Sequence, residues 1–248
     1  MKIYRRVRTW IMLCLLAIFS MLLPFVFYMA GGEDNPNVWE VTMLSMTITF
    51  FLNIIFAVVI AGDSVASEFS WGTIKLLLIR PWSRSKILLS KYISVILFGM
   101  ISSLVLFIFA FIFSNIWFNY EGNAGMISSS WSDMSYTLMT LGSRYVELLL
   151  ITTIAFMIST LFRSSTFAMV VALFILFTKD IFLALLNPEK YEWMKYVIFT
   201  HMDLKGYLDN PVGPAGSTLL FSVMVLAIYY ICFLLISWVV FKKRDVST

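Results

Sequence analysis

The sequence predicts an all-α, polytopic membrane protein with six transmembrane helices, an amphipathic cytoplasmic helix and short external re-entrant helices. Three observations carry this. The 248 residues are 60% hydrophobic and only 13% charged, whereas soluble domains are roughly a quarter charged. The apolar residues gather in uncharged runs longer than a bilayer core requires. The Lys and Arg residues cluster in alternate inter-run segments, which is how membrane orientation is written in sequence. The economical reading is a single transmembrane domain over residues 1–248, with no internal repeat and no low-complexity tract.

The first span is Thr9 to Gly32, 24 uncharged residues, about 36 Å as a helix. Basic residues followed by an apolar run resemble a secretion signal. The run is long and lacks a small-residue cleavage site, so the expectation is an uncleaved span. Pro24 should kink it. Glu33 and Asp34 mark a short acidic turn, and residues 41–62 form the second span. The third covers 92–117, ending in the interfacial aromatics Trp117, Phe118 and Tyr120. A Gly- and Ser-containing acidic loop follows, then the fourth span at 138–162. Arg163, Ser164 and Ser165 make a tight turn into the fifth span, 166–186. The sixth is 217–241, followed by Lys242, Lys243 and Arg244.

Residues 187–214 are too apolar for a solvated loop, yet too short and charged to span. Asn187-Pro188-Glu189 has the form of a helix start: cap, proline at the first helical position, acid in the first turn. A helix lying in or dipping into the outer leaflet is expected over Tyr191 to Phe199. His201, the one histidine, reads as a loop residue rather than a metal ligand.

With the N-terminus inside, thirteen of the eighteen Lys and Arg residues fall in cytoplasmic segments, against three of fourteen acids. Both termini are therefore expected in the cytoplasm. The same placement accounts for the basic residues without nucleic acid. Cys14 and Cys232 both fall inside spans and are expected as small packing residues.

The segment 62–91 is the long polar interval between the second and third spans. It carries Lys75, Arg80, Arg84, Lys86 and Lys91 against Asp63 and Glu68. Val65, Phe69, Leu76 and Ile79 recur at steps of three, four and seven, which suits one face of an amphipathic helix over Asp63 to Arg80. Pro81 should end it, and Ser83 or Ser85 should cap a new helix that enters the third span. An ordinary interfacial loop helix has the same pattern.

The run Glu68-x-x-x-Gly72-Thr73-Ile74-Lys75, then Pro81-x-x-Arg84, then Lys91, resembles the permease subunits of ATP-binding cassette transporters of the type-2 exporter class. Six spans over the whole chain strengthen the likeness. The resemblance implies that this segment is the coupling helix that docks on an ATPase subunit. It implies roles there for Glu68, Gly72, Thr73, Lys75, Arg80 and Arg84, with Glu68 facing a basic group and the cations facing acids or lipid phosphates. Trp71 and Trp82 lie outside the pattern and read as interface anchors. It also implies short re-entrant helices between the last two spans, two ATPase copies, and a second permease chain, identical or different. ATP and Mg²⁺ would reside on the partner, leaving this chain without a cofactor of its own.

Two charged pairs sit inside spans. Arg144 and Glu147 are three apart on the fourth, so they share a face; Lys179 and Asp180 are adjacent on the fifth. They could line the outer vestibule or lock the two spans together. The simpler expectation is that Arg144 and Lys179 snorkel to headgroups and pair locally.

No catalytic constellation appears. There is no G-x-x-x-x-G-K-[ST] loop for nucleotide phosphates and no H-E-x-x-H, so the chain is not expected to be an enzyme. Ser128-Ser129-Ser130 lacks a neighbouring base. The expected function is ATP-driven export of an amphipathic or hydrophobic molecule: an antimicrobial peptide, a drug or a lipid-like compound. Small Gram-positive members of the family often export such peptides or confer immunity to them. Sodium or other ion export by the same architecture is an alternative. An ion-driven secondary carrier is a further one, which the expected lack of acids in the central thirds of the spans disfavours.

Overall fold

A computed structural model describes residues 7–30, 36–70, 83–120, 131–186, 188, 190–210 and 212–243. Among the described residues, six helices are long and apolar enough to cross a membrane. They are α1 (Val7–Ala30), α2 (Val38–Ser70), α3 (Arg84–Trp117), α4 (Asp133–Phe162), α5 (Ser165–Leu185) and α8 (Leu219–Lys243). The one-turn helices α6 (Ile198–His201) and α7 (Gly206–Asp209) lie between α5 and α8, with 3-10 turns at Glu192–Tyr196 and Pro214–Gly216. This is an all-helical, multi-pass membrane protein. With no water in the hydrocarbon, a helix satisfies every backbone group within its own segment.

Some element boundaries match the sequence expectation and others depart from it. α1 continues through Pro24, which is buried. α2 does not stop at Gly62 but runs on to Ser70, because 63–70 holds no glycine or proline and continues the buried face through Val65 and Ala66. The expected amphipathic helix thus begins as an extension of the second span, and its remainder, 71–82, lies outside the described residues. α3 starts at Arg84 with Ser83 as its cap, since the Lys86 amide reaches the Ser83 hydroxyl at 3.4 Å and its carbonyl at 3.0 Å. Ser85 is used otherwise, accepting from the Trp238 indole at 2.7 Å. The single external helix is broken instead: Val197 is extended (φ −80, ψ 134), which separates the 3-10 turn from α6. Pro188 sits in a turn rather than a first helical position.

The chain divides into two compact units, Met1–Ile54 with Phe98–Tyr145, and Ile55–Leu97 with Val146–Thr248. The first packs Leu16, Met46, Phe50, Leu106 and Tyr136 in its core. Trp117 meets Phe25 and Tyr28 at 5.5 and 4.8 Å between ring centres, and Trp39 meets Phe111 at 5.0 Å. Asn37 caps α2, accepting from the Trp39 amide at 3.2 Å and donating to Asp133 at 3.3 Å. The second unit buries small residues of three helices, Ala57, Ala61 and Ala66 of α2, Ala155 of α4, and Ala168 and Ala172 of α5. Small side chains let helix backbones approach closely, which is how helices associate where lipid is as apolar as leucine.

Candidate functional site

The distinctive chemistry of the second unit begins where α2 leaves its apolar stretch. Ser64 and Ser70 turn their hydroxyls back onto the carbonyls of Ala61 (2.6 Å) and Ser67 (3.1 Å), as short polar side chains do in helices. Glu68, one helical turn beyond Ser64, faces inward and is 5% exposed. A carboxylate buried this far needs a partner. Lys91 of α3 supplies it: its ammonium lies 3.2 Å from Glu68 Oε1 and donates to the Ser64 carbonyl at 2.6 Å. The first and last residues of the 68–91 motif are therefore bonded to each other. Glu68 does not present its carboxylate at a surface of this chain. Arg84 is the half-buried first residue of α3. Gly72, Thr73, Lys75 and Arg80 lie outside the described residues.

Ser159 of α4 completes this corner. Its hydroxyl donates to the Gly62 carbonyl at 2.6 Å and accepts from the Ala66 amide at 3.1 Å. Those two groups face each other across one turn of α2. Gly62 itself packs against the start of α5; a methyl there would meet Met169 Cγ at 3.0 Å and the Ser165 carbonyl at 3.3 Å. The α4–α5 turn is as tight as expected, with two residues between the helices. Arg163 adopts a left-handed φ of 54°, uncommon outside glycine, and holds its guanidinium carbon 4.5 Å over the Phe69 ring. Phe69 in turn meets Phe241 of α8 edge-on at 6.5 Å. Ser164 caps α5 through the Phe167 amide at 3.3 Å.

Farther along the same helices, Lys179 of α5 pairs with Glu147 of α4. Lys179 is 7% and Glu147 2% exposed, so the lysine does not snorkel and its main partner is not its neighbour. Asp180, with its side chain 78% exposed, is 3.9 Å from Lys179. The physical reason is register: Lys179 continues the buried stripe Ala168, Ala172, Leu176, while Asp180 is rotated out of it. Glu147 lies in the middle third of α4, contrary to the expected lack of acids there. Arg144, half-buried, belongs to the first unit.

Two further polar clusters were not singled out in the sequence. Tyr92 of α3 bonds Thr153 of α4 at 2.7 Å and Tyr230 of α8 at 2.9 Å. His201 is no loop residue; it ends α6 and is 0% exposed. Its Nε2 lies 2.8 Å from the Lys195 carbonyl, to which it donates, and its Nδ1 shares a hydrogen bond of 2.6 Å with the Ser222 hydroxyl. Tyr207 bonds Ser222 at 2.5 Å and Ser217 at 2.7 Å. No periodicity relates these partners, so only folding brings them together. Among the described residues no group of three His, Cys, Asp or Glu could hold a metal. Cys14 and Cys232 are free thiols on exposed helix faces, not core packing residues.

A family model described as "Protein of unknown function (DUF2705)" matches residues 9–247. The chain is 39% identical to the uncharacterized protein YhcI of Bacillus subtilis (strain 168) over 228 residues, covering 87% of this chain and 71% of that protein. It is 30% identical to the uncharacterized membrane protein YdbK of the same organism over 254 residues, covering 99% of each.

Proposed function

We propose that this chain, which belongs to the DUF2705 family, is the membrane-spanning permease subunit of an ATP-driven exporter. The observation that carries the reading is the motif running from Glu68 to Lys91, set between the second and third of six apolar helices. Its ends close on each other through a buried ion pair, so displacement of the intervening segment is felt directly by α2 and α3. Our reading places that segment and both termini in the cytoplasm, in line with the positive-inside distribution.

In this reading a separate ATPase subunit supplies the force and holds ATP and Mg²⁺. Docking falls to Gly72, Thr73, Lys75, Arg80 and Arg84. Glu68, occupied by Lys91, fastens the segment rather than meeting the ATPase; a cation on the ATPase would have to displace Lys91 to reach it. Two six-span chains and two ATPase copies make the working assembly. The cargo class is amphipathic or hydrophobic: a peptide, a drug or a lipid-like molecule, with ion export by the same architecture as the alternative.

Purification of the tagged chain from its native membrane tests this. An ATPase recovered in equimolar amount, with ATP hydrolysis that falls on mutating Lys75 and Arg80 together, is expected. Recovery of the permease alone, from cells in which no ATPase is needed for its phenotype, would sink the proposal. One observation favours a second reading, an ion-driven carrier: the buried Glu147–Lys179 pair, with Glu147 in the middle third of α4. Transport in vesicles that follows an imposed ion gradient without ATP would decide for it.

A further inference from the structure

We propose that Ser159 is a positioning residue that makes Gly62–Ala66 the hinge of α2, the point at which the charged end of that helix pivots on its membrane span. An α-helix is stiff because each amide bonds the carbonyl four residues back. At Gly62 and Ala66 the Ser159 hydroxyl competes for both ends of one such bond, donating to the carbonyl at 2.6 Å and accepting from the amide at 3.1 Å. A side chain inserted in the ladder is one of the few recognised causes of helix bending.

Neighbouring groups weaken the same stretch. The Ser64 carbonyl accepts from Lys91 at 2.6 Å, and the Ala61 carbonyl accepts from Ser64 at 2.6 Å. Gly62 is the single glycine of α2 and the residue of lowest conformational stiffness in it. Together these place soft helix between two firm parts: the buried run through Ala57, Val58 and Ala61, and the Glu68–Phe69 end held by Lys91 and Arg163.

The arrangement also says where motion at the hinge goes. Ser159 and Arg163 lie one turn apart on α4 and at its end, and grip α2 at Gly62 and Ala66 and at Phe69 respectively. Movement of residues 66–70 therefore pulls on the α4–α5 hairpin, which Glu147 and Lys179 join farther along. That transmission role rests on the exporter reading; the hinge does not.

Hydrogen exchange of the full-length protein in detergent or nanodiscs, read on peptides covering residues 61–70, tests the hinge. Ser159→Ala removes the hydroxyl and lets the Gly62 carbonyl and Ala66 amide bond directly. A hinge predicts exchange slowed about five- to tenfold there, since removing the competitor strengthens the local ladder. A merely structural tie predicts the opposite, faster exchange through loss of the α2–α4 bond. Unchanged or faster exchange, or failure of the variant to fold, overturns the proposal. Ser237→Ala, whose hydroxyl bonds the Phe233 carbonyl of its own helix at 2.8 Å, should leave these peptides as in the parent. Where an ATPase partner is in hand, Ser159→Ala is expected to hydrolyse ATP but move less cargo per ATP. If no ATPase associates with the parent chain, the exporter reading fails while the exchange result still decides the hinge.

Discussion

The two units differ in how completely they match buried polar side chains across helices: the first joins Asn53 to Ser103 at 3.1 Å and Asn37 to Asp133 at 3.3 Å, and the second makes a larger set of such bonds. In the unit built from Met1–Ile54 and Phe98–Tyr145, the buried oxygens of Ser20, Ser45, Ser114, Thr140 and Asn53 Oδ1 have no hydrogen-bond partner among the described residues. Its other hydroxyls mostly bond their own helix, as Thr42 does to Val38 and Thr49 to Ser45. In the unit built from Ile55–Leu97 and Val146–Thr248, side chains distant in sequence are matched: Glu68 with Lys91, Ser159 with Gly62 and Ala66, Tyr92 with Thr153 and Tyr230, Lys179 with Glu147, His201 with Ser222. Directional bonds between helices select one arrangement, because a polar group in hydrocarbon has few alternative partners. Aromatic and aliphatic packing tolerates small shifts. The difference teaches that the unit holding the motif is the one whose geometry is specified bond by bond.

Breaking the deepest pair should have the largest effect. Glu147→Ala leaves Lys179 buried beside its lost partner and should cost about 3–5 kcal/mol, whereas Glu147→Leu with Lys179→Met should recover most of it; thermal denaturation in detergent reads both. If the single variant is as stable as the parent, the second unit is not held by its polar pairs. Next, Lys91→Met strands Glu68 and frees the Ser64 carbonyl, at about 2–4 kcal/mol. Exchanging the charges by Glu68→Lys with Lys91→Glu should restore more than either single change, and a double variant no better than the worse single one would dissolve the pair.

Tyr92→Phe keeps the ring against Phe156, 5.1 Å between centres, and removes only the hydroxyl. A loss of about 1–2 kcal/mol is expected, visible as a lower unfolding temperature. At the bottom of the scale, Ser45→Ala and Ser114→Ala delete oxygens that bond nothing among the described residues. Both should lie within about 0.5 kcal/mol of the parent, or stabilise it. A cost above about 1 kcal/mol at either position would show those oxygens to be bonded after all, and the contrast between the units would vanish.

Much of the architecture was legible because bilayer thickness dictates it. Runs such as Leu219 to Phe241 have one physical solution in lipid, and the ends of the predicted spans fall close to those of α5 and α8. The α2–α3 corner was legible in part: the motif named Glu68 and Lys91, but nothing in their spacing says that they bond. Lys179 was assigned the wrong principal partner because adjacency in sequence was weighed without rotational register; one residue is about 100° around the helix, enough to turn Lys179 in and Asp180 out. Ser159 carried no signal at all, a serine among apolar residues like many others here.

By itself the sequence determined an all-helical, six-span membrane protein and the place of its charged segment, because hydrophobic length and charge placement act locally and without regard to partners. Tertiary structure alone decided that Glu68 is buried rather than displayed, that α2 runs on to Ser70, that Lys179 belongs to Glu147, and that a hydroxyl of α4 bonds the Gly62 carbonyl and the Ala66 amide of α2. Those outcomes depend on which helix faces which and at what rotation, and such pairings are set by close packing over distances that no local pattern records.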